Sequence, residues 1–396
     1  MIDSLYIAWR YLGFNKARTL TLVTCVTLIA FLPLALELLL NESERQLVSR
    51  AEATPLLVGA RGSALDLVMN SLYFGDTVPE LISMAAVDRV ADSELALPIP
   101  LYVRFKARGF PIVGTTIDYF DFRGLELAAG RQLAVLGECV LGARVAEELQ
   151  LGPGDSLLSS PETVFDLAGV YPLKMRVAGV LAESHGPDDL AVFVDVKTTW
   201  VIQGLVHGHA DLQNVTDPTL VMQRSDGNVT ATAKVLQFTE ITPENIGSFH
   251  FHGDPAGYPI TGVIALPNDD KSGAILRGRY IGRDAADENQ QIEVPGKVVG
   301  ELLDTIFRIK SILDAVILVV GIATLLALTL VFALSLRLRQ REVQTIFKLG
   351  CSRSTIAKLM AAEIAIILLM SGVLTALLLA LVAHFDEPLV RALFVR

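Results

Sequence analysis

Three stretches of this 396-residue chain carry no charged side chain: Thr19–Leu36 (TLTLVTCVTLIAFLPLAL), Ala315–Leu336 (AVILVVGIATLLALTLVFALSL) and Ile364–Ala383 (IAIILLMSGVLTALLLALVA). A helix of roughly 20 residues crosses a hydrocarbon layer ~30 Å thick, and each stretch is close to that length, so each predicts a transmembrane helix. Together they lift the hydrophobic fraction to 52% and the mean hydropathy to +0.49, values high for a soluble chain of this size. The first stretch has a competing reading as a cleaved secretion signal, because Arg10, Lys16 and Arg18 precede it. Its apolar run exceeds the ~7–15 residues of such signals. The following ELLLNESERQLVSR also lacks a small-x-small cleavage site, so a retained anchor is expected.

Basic residues beside the spans set orientation. Residues 1–18 hold Arg10, Lys16 and Arg18 against Asp3, and the connector 337–363 holds six Lys/Arg against Glu342 and Glu363, which places both in the cytoplasm. Between them, 41–314 carries 22 Lys/Arg and 37 Asp/Glu, a net −15, and is expected outside. The predicted organisation is a cytoplasmic segment 1–18, span 19–40, an extracytoplasmic domain 41–314, span 315–336, a cytoplasmic loop 337–363, span 364–385 and an outer tail 386–396. Cys25 falls in a span, Cys139 in the outer domain and Cys351 in the cytoplasmic loop, so no intrachain disulfide is expected.

Local patterns make the outer domain α+β with short strands. Leu65, Val68, Met69 and Leu72 recur at helical spacing after a small-residue turn within 58–75. LYVRFKARGFPIVGTT alternates and breaks at Gly109, as a hairpin does. ECVLGARVAEELQLGPGDSL reads as a strand, a helix from about Ala143 and a Gly-Pro-Gly-Asp turn; 173–200 reads as two strands around a polar loop and then a helix start. Pro295 suits a first helical position. Val298, Val299, Leu302, Leu303, Ile306, Phe307 and Ile309 follow at three- and four-residue steps with no breaker before the second span. One helix from about Pro295 to about Leu338 is expected, leaving the membrane as a stalk, with NESERQLVSRAEA as its counterpart after the first span.

The connector RLRQREVQTIFKLGCSRSTIAKLMAAE puts Val343, Ile346, Phe347 and Leu349 toward one helical side and Arg341, Gln344 and Lys348 toward the other. Gly350 suits a helix C-cap, and Ser352 or Ser354 the next N-cap. On composition alone it equally suits a basic hairpin that fixes topology or lies on anionic lipid. Its sequence resembles the cytoplasmic loop of FtsX/MacB-type ABC transporter permeases at Arg341, Glu342, Leu349, Gly350, Ile356 and Glu363. AWRYLGFNKARTLTLVT is similar to that family's approach to its first span. The segment from IVGTTIDYF to GPGDSL resembles the MacB/LolC/LolE periplasmic core at Gly114, Leu125, Gly130, Arg131, Glu138, Leu141, Gly142, Val145, Ala146, Leu151, Gly152, Gly154 and Asp155, and MRVAGVLAESHGPDDLAVFVDV continues it.

The charge-free stretches predict three transmembrane helices where the family pattern has four; the resemblance implies that the large α+β outer domain is a MacB-like periplasmic core on helical stalks, in a bacterial inner membrane. It makes Arg341, Glu342, Phe347, Leu349, Gly350 and Ile356 the ATPase-coupling element. It implies a separate ABC ATPase that holds ATP and Mg, a second permease copy as homodimer or heterodimer, a periplasmic adaptor or lipoprotein, and membrane lipid as partners, with no nucleic acid. The function expected is mechanical coupling of ATP hydrolysis to export or extraction of a peptide, lipophilic compound or lipoprotein. The alternative is a non-transporting scaffold that regulates a periplasmic partner.

Intrinsic catalytic chemistry is not expected. No G-x-x-x-x-G-K-[ST], G-x-S-x-G or H-E-x-x-H occurs. The spans carry almost no ionisable group for a polar pathway; Glu37 and Asp314 lie at outer ends. Gly59 and Gly62 read as a packing turn rather than a phosphate loop, and the Asn214 and Asn228 sequons as chance. His207 and His209, and His250 and His252, are weak metal-ligand candidates: each x-H-x-H pair faces one side of a strand, but two ligands are an incomplete set. No cofactor is expected in this chain.

Overall fold

The computed structural model describes residues 2–160, 172–208, 221–225, 228–231, 238–251, 253–281, 289–338, 348 and 352–394. The chain divides into two compact units, Leu47–Leu302 and the combination of Met1–Gln46 with Leu303–Arg396.

In chain order the elements are α1 (Ile2–Phe14), α2 (Lys16–Glu52), β1 (Leu56–Ala60), α3 (Ala64–Tyr73), β2 (Ile82–Ser83), α4 (Ala85–Asp92), β3 (Ala96–Ala107), β4 (Phe110–Thr115), α5 (Asp118–Arg123), β5 (Leu127–Gly130), β6 (Glu138–Leu141), α6 (Ala143–Leu149), β7 (Ser156–Leu158), β8 (Lys174–Leu181) and β9 (Val192–Asp195). Then come α7 (Val196–Ile202), β10 (Val206–Gly208), β11 (Val221–Ser225), β12 (Asn228–Ala231), β13 (Phe249–Phe251), β14 (Pro259–Ile260), β15 (Gly262–Pro267), α8 (Asp270–Ile281), β16 (Gln290–Glu293), α9 (Pro295–Leu338) and α10 (Arg353–Phe394).

The unit Leu47–Leu302 is built on a mixed sheet in the order β16-β1-β15-β3-β4-β9-β6-β8-β5, with β7 also on β8. Neighbours are antiparallel except β4 with β9 and β6 with β8. The expected α+β architecture is found. The β3–β4 hairpin turns at Arg108 and Gly109, whose φ values of 50° and 93° are the positive pair that a two-residue turn matched to strand twist demands. Ser63 opens α3 by accepting the Asp66 amide at 3.1 Å, a side-chain N-cap. Asn70, fully buried on α3, donates to the carbonyls of Gly75 and Val103 at 3.0 Å each and ties the helix to β3.

Residues that carry the periplasmic-core resemblance hold the local geometry. Arg131 pairs with Glu138, Nη1 to Oε2 at 2.8 Å, and Glu138 also accepts the amides of Ala134 and Val135. Burial alone would raise the Glu138 pKa, but the Arg131 and amide bonds hold it below the usual range. A Cβ on Gly142 would sit 2.3 Å from the Asp188 carbonyl oxygen and 2.5 Å from that of Asp189. Only glycine therefore lets the start of α6 meet the 3-10 turn Pro187–Leu190.

The core is apolar and aromatic. Phe193 of β9 lies 5.3 Å from Phe120, 5.6 Å from Tyr119 and 6.3 Å from Phe74, ring centre to ring centre. Trp200 packs 4.8 Å from Tyr258 and donates its indole N–H to the Pro259 carbonyl at 2.8 Å. Cys139 is buried, and burial pushes its thiol up to about 12.

In the other unit, α1 packs on α10 through Ala8, Leu12, Ala362, Ile366 and Ile367, joined by Leu22 and Val23 of α2. Ser371 donates to the Val23 carbonyl at 3.3 Å. Elsewhere these helices turn large apolar side chains outward: Leu318 and Leu325 of α9 and Leu369 and Leu377 of α10 are each over 60% exposed. Helices apolar on outward faces match a lipid surround. Among the described residues, two stretches have the length and composition to cross a membrane, Lys16–Ala35 and Ala357–Ala383. For the third expected span, Ala315–Leu336, the apolar stretch found among the described residues is the shorter Asp314–Ala323. Helix α9, Pro295–Leu338, begins at the proline that the sequence predicts and runs unbroken toward the second span.

Candidate functional site

The densest buried polar constellation gathers around Arg50. This residue stands in the last turn of α2, where a cation complements the helix C-terminus. The helix stops there: Thr54 Oγ1 donates to the Arg50 carbonyl at 3.0 Å, and Pro55 follows. Within the Leu47–Leu302 unit the Arg50 guanidinium uses every edge. Nε donates to the Leu72 carbonyl at the end of α3. Nη1 and Nη2 grip Asp188 at 2.6 and 3.0 Å, and Nη2 also donates to Tyr119 Oη at 2.9 Å. The phenol of Tyr119 in turn donates to Asp188 Oδ1 at 2.8 Å. Arg50 and Asp188 side chains are only 10% and 3% exposed.

The surrounding elements complete the clamp. The Phe74 ring lies 5.6 Å beneath the Arg50 guanidinium. Tyr73 donates to the Leu47 carbonyl, one turn of α2 earlier. Arg123 of α5 donates to Thr54 Oγ1 at 2.9 Å and lies over the Tyr119 and Phe122 rings. At the start of α9, a Cβ on Gly296 would lie 3.6 Å from Glu52 Cγ, so the two helix ends run close together.

Electrostatics fix the charges. Burial would raise the Asp188 pKa, but Arg50, by charge and hydrogen bond, and the Tyr119 hydrogen bond hold it below the usual carboxylate range. Burial acts against a charged Arg50 as well, yet Tyr119 and Asp188 raise its pKa further. Tyr119 is pushed up by burial, against the pull of Arg50, and Tyr73 is pushed up to about 12 for the same reason. Burial and then repulsion from Arg50 lower Arg123. Neither phenol is activated as an acid or nucleophile at neutral pH. The constellation's capacity is mechanical: a bidentate, desolvated ion pair holds one helix end in one geometry.

The sequence-predicted coupling residues stand elsewhere in the sequence. Arg341, Glu342, Phe347, Leu349 and Gly350 lie outside the described residues; Ile356 lies in α10. Lys348 is helical and exposed. Of the two candidate N-caps, Ser352 takes the role: its Oγ accepts the Thr355 amide at 3.2 Å and lies 2.7 Å from Ser354 Oγ. Glu363 is buried on α10. His207 and His250 are brought together, directly opposite on β10 and β13, while His209 and His252 lie outside the described residues. Sequence reasoning missed the Arg50 clamp. Its one local signal is a lone arginine at the end of a helix that precedes Thr-Pro, and nothing near it in sequence identifies Asp188 as its partner.

Comparison with known proteins adds the following. A family model described as the MacB-like periplasmic core domain matches residues 38–237. Among solved structures, the periplasmic region of MacB from Actinobacillus actinomycetemcomitans is similar at 11% identity and TM-score 0.34, over 64% of this chain and 94% of that one. The extracellular domain of the noncanonic ABC-type transporter YknZ from Gram-positive bacteria is similar at 12% identity and TM-score 0.32, over 60% and 98%. No curated protein matches the chain. With half its length accounted for by that family model, the chain belongs to the MacB-like periplasmic core domain family, the FtsX/MacB-type ABC transporter permeases.

Proposed function

We propose that this chain is the membrane subunit that converts ATP hydrolysis, performed by a separate ABC ATPase holding ATP and Mg, into movement of its own periplasmic domain. Three spans, with the N-terminus and the 337–363 loop cytoplasmic and the tail 386–396 outside, would give the connector access to the ATPase and the Leu47–Leu302 unit access to the periplasm. Two permease copies work together. The cargo is a peptide, lipophilic compound or lipoprotein taken from the outer leaflet or periplasm, and an adaptor or lipoprotein receives it. The net −15 of residues 41–314 favours encounter with cationic or amphipathic molecules.

One observation carries this reading: α2 includes a membrane-crossing stretch, Lys16–Ala35, and ends in the Arg50 clamp. A helix held at its end by a desolvated ion pair passes displacement into the domain instead of slipping. Spans almost free of ionisable groups fit a force-transmitting role better than a polar conduit.

The test is affinity purification of the chain from its native membrane, with mass spectrometry of bound proteins and an ATPase assay. A co-purifying Walker-A subunit with vanadate-sensitive hydrolysis is the expected result. Phe347→Asp should abolish co-purification, because a carboxylate would stand on the apolar side that the sequence pattern assigns to the proposed coupling element. Single substitutions of Lys348 or Lys358 should change it little. A chain recovered intact, alone and inactive would replace transport by the scaffold reading.

A further inference from the structure

Away from the Arg50 clamp, the described residues with most ligating capacity meet on the small β10–β13 sheet. His207 and His250 are register partners, flanked by Val206 opposite Phe251 and Gly208 opposite Phe249. Their imidazole centres are 5.0 Å apart with planes inclined by 67°. His250 Nδ1 lies 3.0 Å from the Ser248 carbonyl oxygen. A carbonyl only accepts, so Nδ1 carries the proton and the neutral ring has its lone pair on Nε2. Backbone carbonyls that fix a tautomer in this way are the usual outer support of metal-ligating histidines.

The spacing is also that of a metal pair. With nitrogens about 2.0 Å from a tetrahedral ion, and ring centres about 3.2 Å from it, two ligating imidazoles have centres about 5 Å apart. The antiparallel register sets this separation without an ion, so binding orders little that is not already ordered. Among the described residues no group of three or more His, Cys, Asp or Glu converges. Among the described residues the protein set is these two nitrogens, and the inference concerns them alone.

We infer that His207 and His250 form a two-imidazole site for a borderline divalent transition ion, Zn²⁺ or Cu²⁺. Nitrogen donors select this class over Ca²⁺ or Mg²⁺. A cross-strand ring pair also stabilises a sheet without any ion, and the test separates the two roles. Full-length protein, purified in detergent with a tag free of histidine, is titrated calorimetrically with Zn²⁺, and its Cu²⁺ complex is examined by electron paramagnetic resonance. One ion per chain and a two-imidazole nitrogen pattern are expected. His250→Phe retains a ring opposite His207 but no nitrogen. It and His207→Ala should each weaken Zn²⁺ at least tenfold and reduce the pattern to one nitrogen. Melting with and without Zn²⁺ guards against fold damage: the metal-dependent rise in Tm, present in the parent protein, should vanish in the variants whatever their metal-free Tm. Unchanged stoichiometry and affinity in a His207→Ala/His250→Phe protein would place the ion elsewhere and overturn the inference. So would a parent protein that takes up no Zn²⁺ below millimolar concentration.

Discussion

Asp188→Asn tests the clamp. The substitution keeps shape but removes the charge that compensates Arg50, and it turns an amide NH₂ toward the guanidinium Nη1 that donates to Asp188 Oδ2 at 2.6 Å. With the two side chains 10% and 3% exposed, solvent cannot replace the lost partner. Breaking one half of such a buried pair costs about 3–5 kcal/mol. At about 1.4 kcal/mol per decade, the local opening equilibrium at the end of α2 should rise by roughly two to four orders of magnitude. Hydrogen exchange of the full chain in nanodiscs reads this directly at the amides of Arg50 to Thr54 and Ser184 to Leu190. The Asp188 pKa is lower folded than unfolded, so its contribution is complete above the ordinary value of 3.8 and is lost as pH falls below that through the folded value. Protection in the parent protein should be level from neutral pH to about 5 and fall below about 4, whereas that of the variant should lack this acid step. Arg50→Met with Asp188→Leu, an apolar replacement of the pair, should restore at least half of the lost protection. A change under threefold in Asp188→Asn would refute the clamp as the element that fixes the helix end.

Gly142→Ala drives a methyl into two carbonyl oxygens and should destabilise the Leu47–Leu302 unit by about 2–4 kcal/mol, lowering the melting temperature seen by near-UV circular dichroism. Cys139, fully buried with its thiol pushed up to about 12, should resist iodoacetamide in the native protein and react fully in denaturant, as mass spectrometry of the tryptic peptide will report. Ser352→Ala removes the cap of α10 and should cost about 1 kcal/mol at that terminus, visible as faster exchange of the Thr355 amide with no change at Ser371.

What could be read from residue order alone was whatever is decided locally. The Arg108-Gly109 turn, α6 from Ala143 and the start of α9 at Pro295 follow from turn chemistry and helical spacing within a few residues. The Arg50–Asp188 pair joins positions 138 apart, and no propensity or period specifies which acid an arginine will meet across a fold. His207 and His250 stood out as members of two separate x-H-x-H pairs; their opposition depends on a strand register set by distant packing. Composition identified a membrane protein, and two of the three charge-free stretches coincide with helices long and apolar enough to cross a membrane, Lys16–Ala35 and Ala357–Ala383.

The place of β1 in the sheet bears on biogenesis. This strand, Leu56–Ala60, is buried along its whole length between β15 and β16, with Leu57 opposite Ile264 on one side and Glu293 on the other. The first strand of the domain to emerge from a ribosome or translocon thus acquires both neighbours only after the last two have emerged. For that interval LLVGA is an apolar edge with unpaired backbone, the kind of segment that recruits other chains. The domain therefore closes late, after its complete length has been delivered.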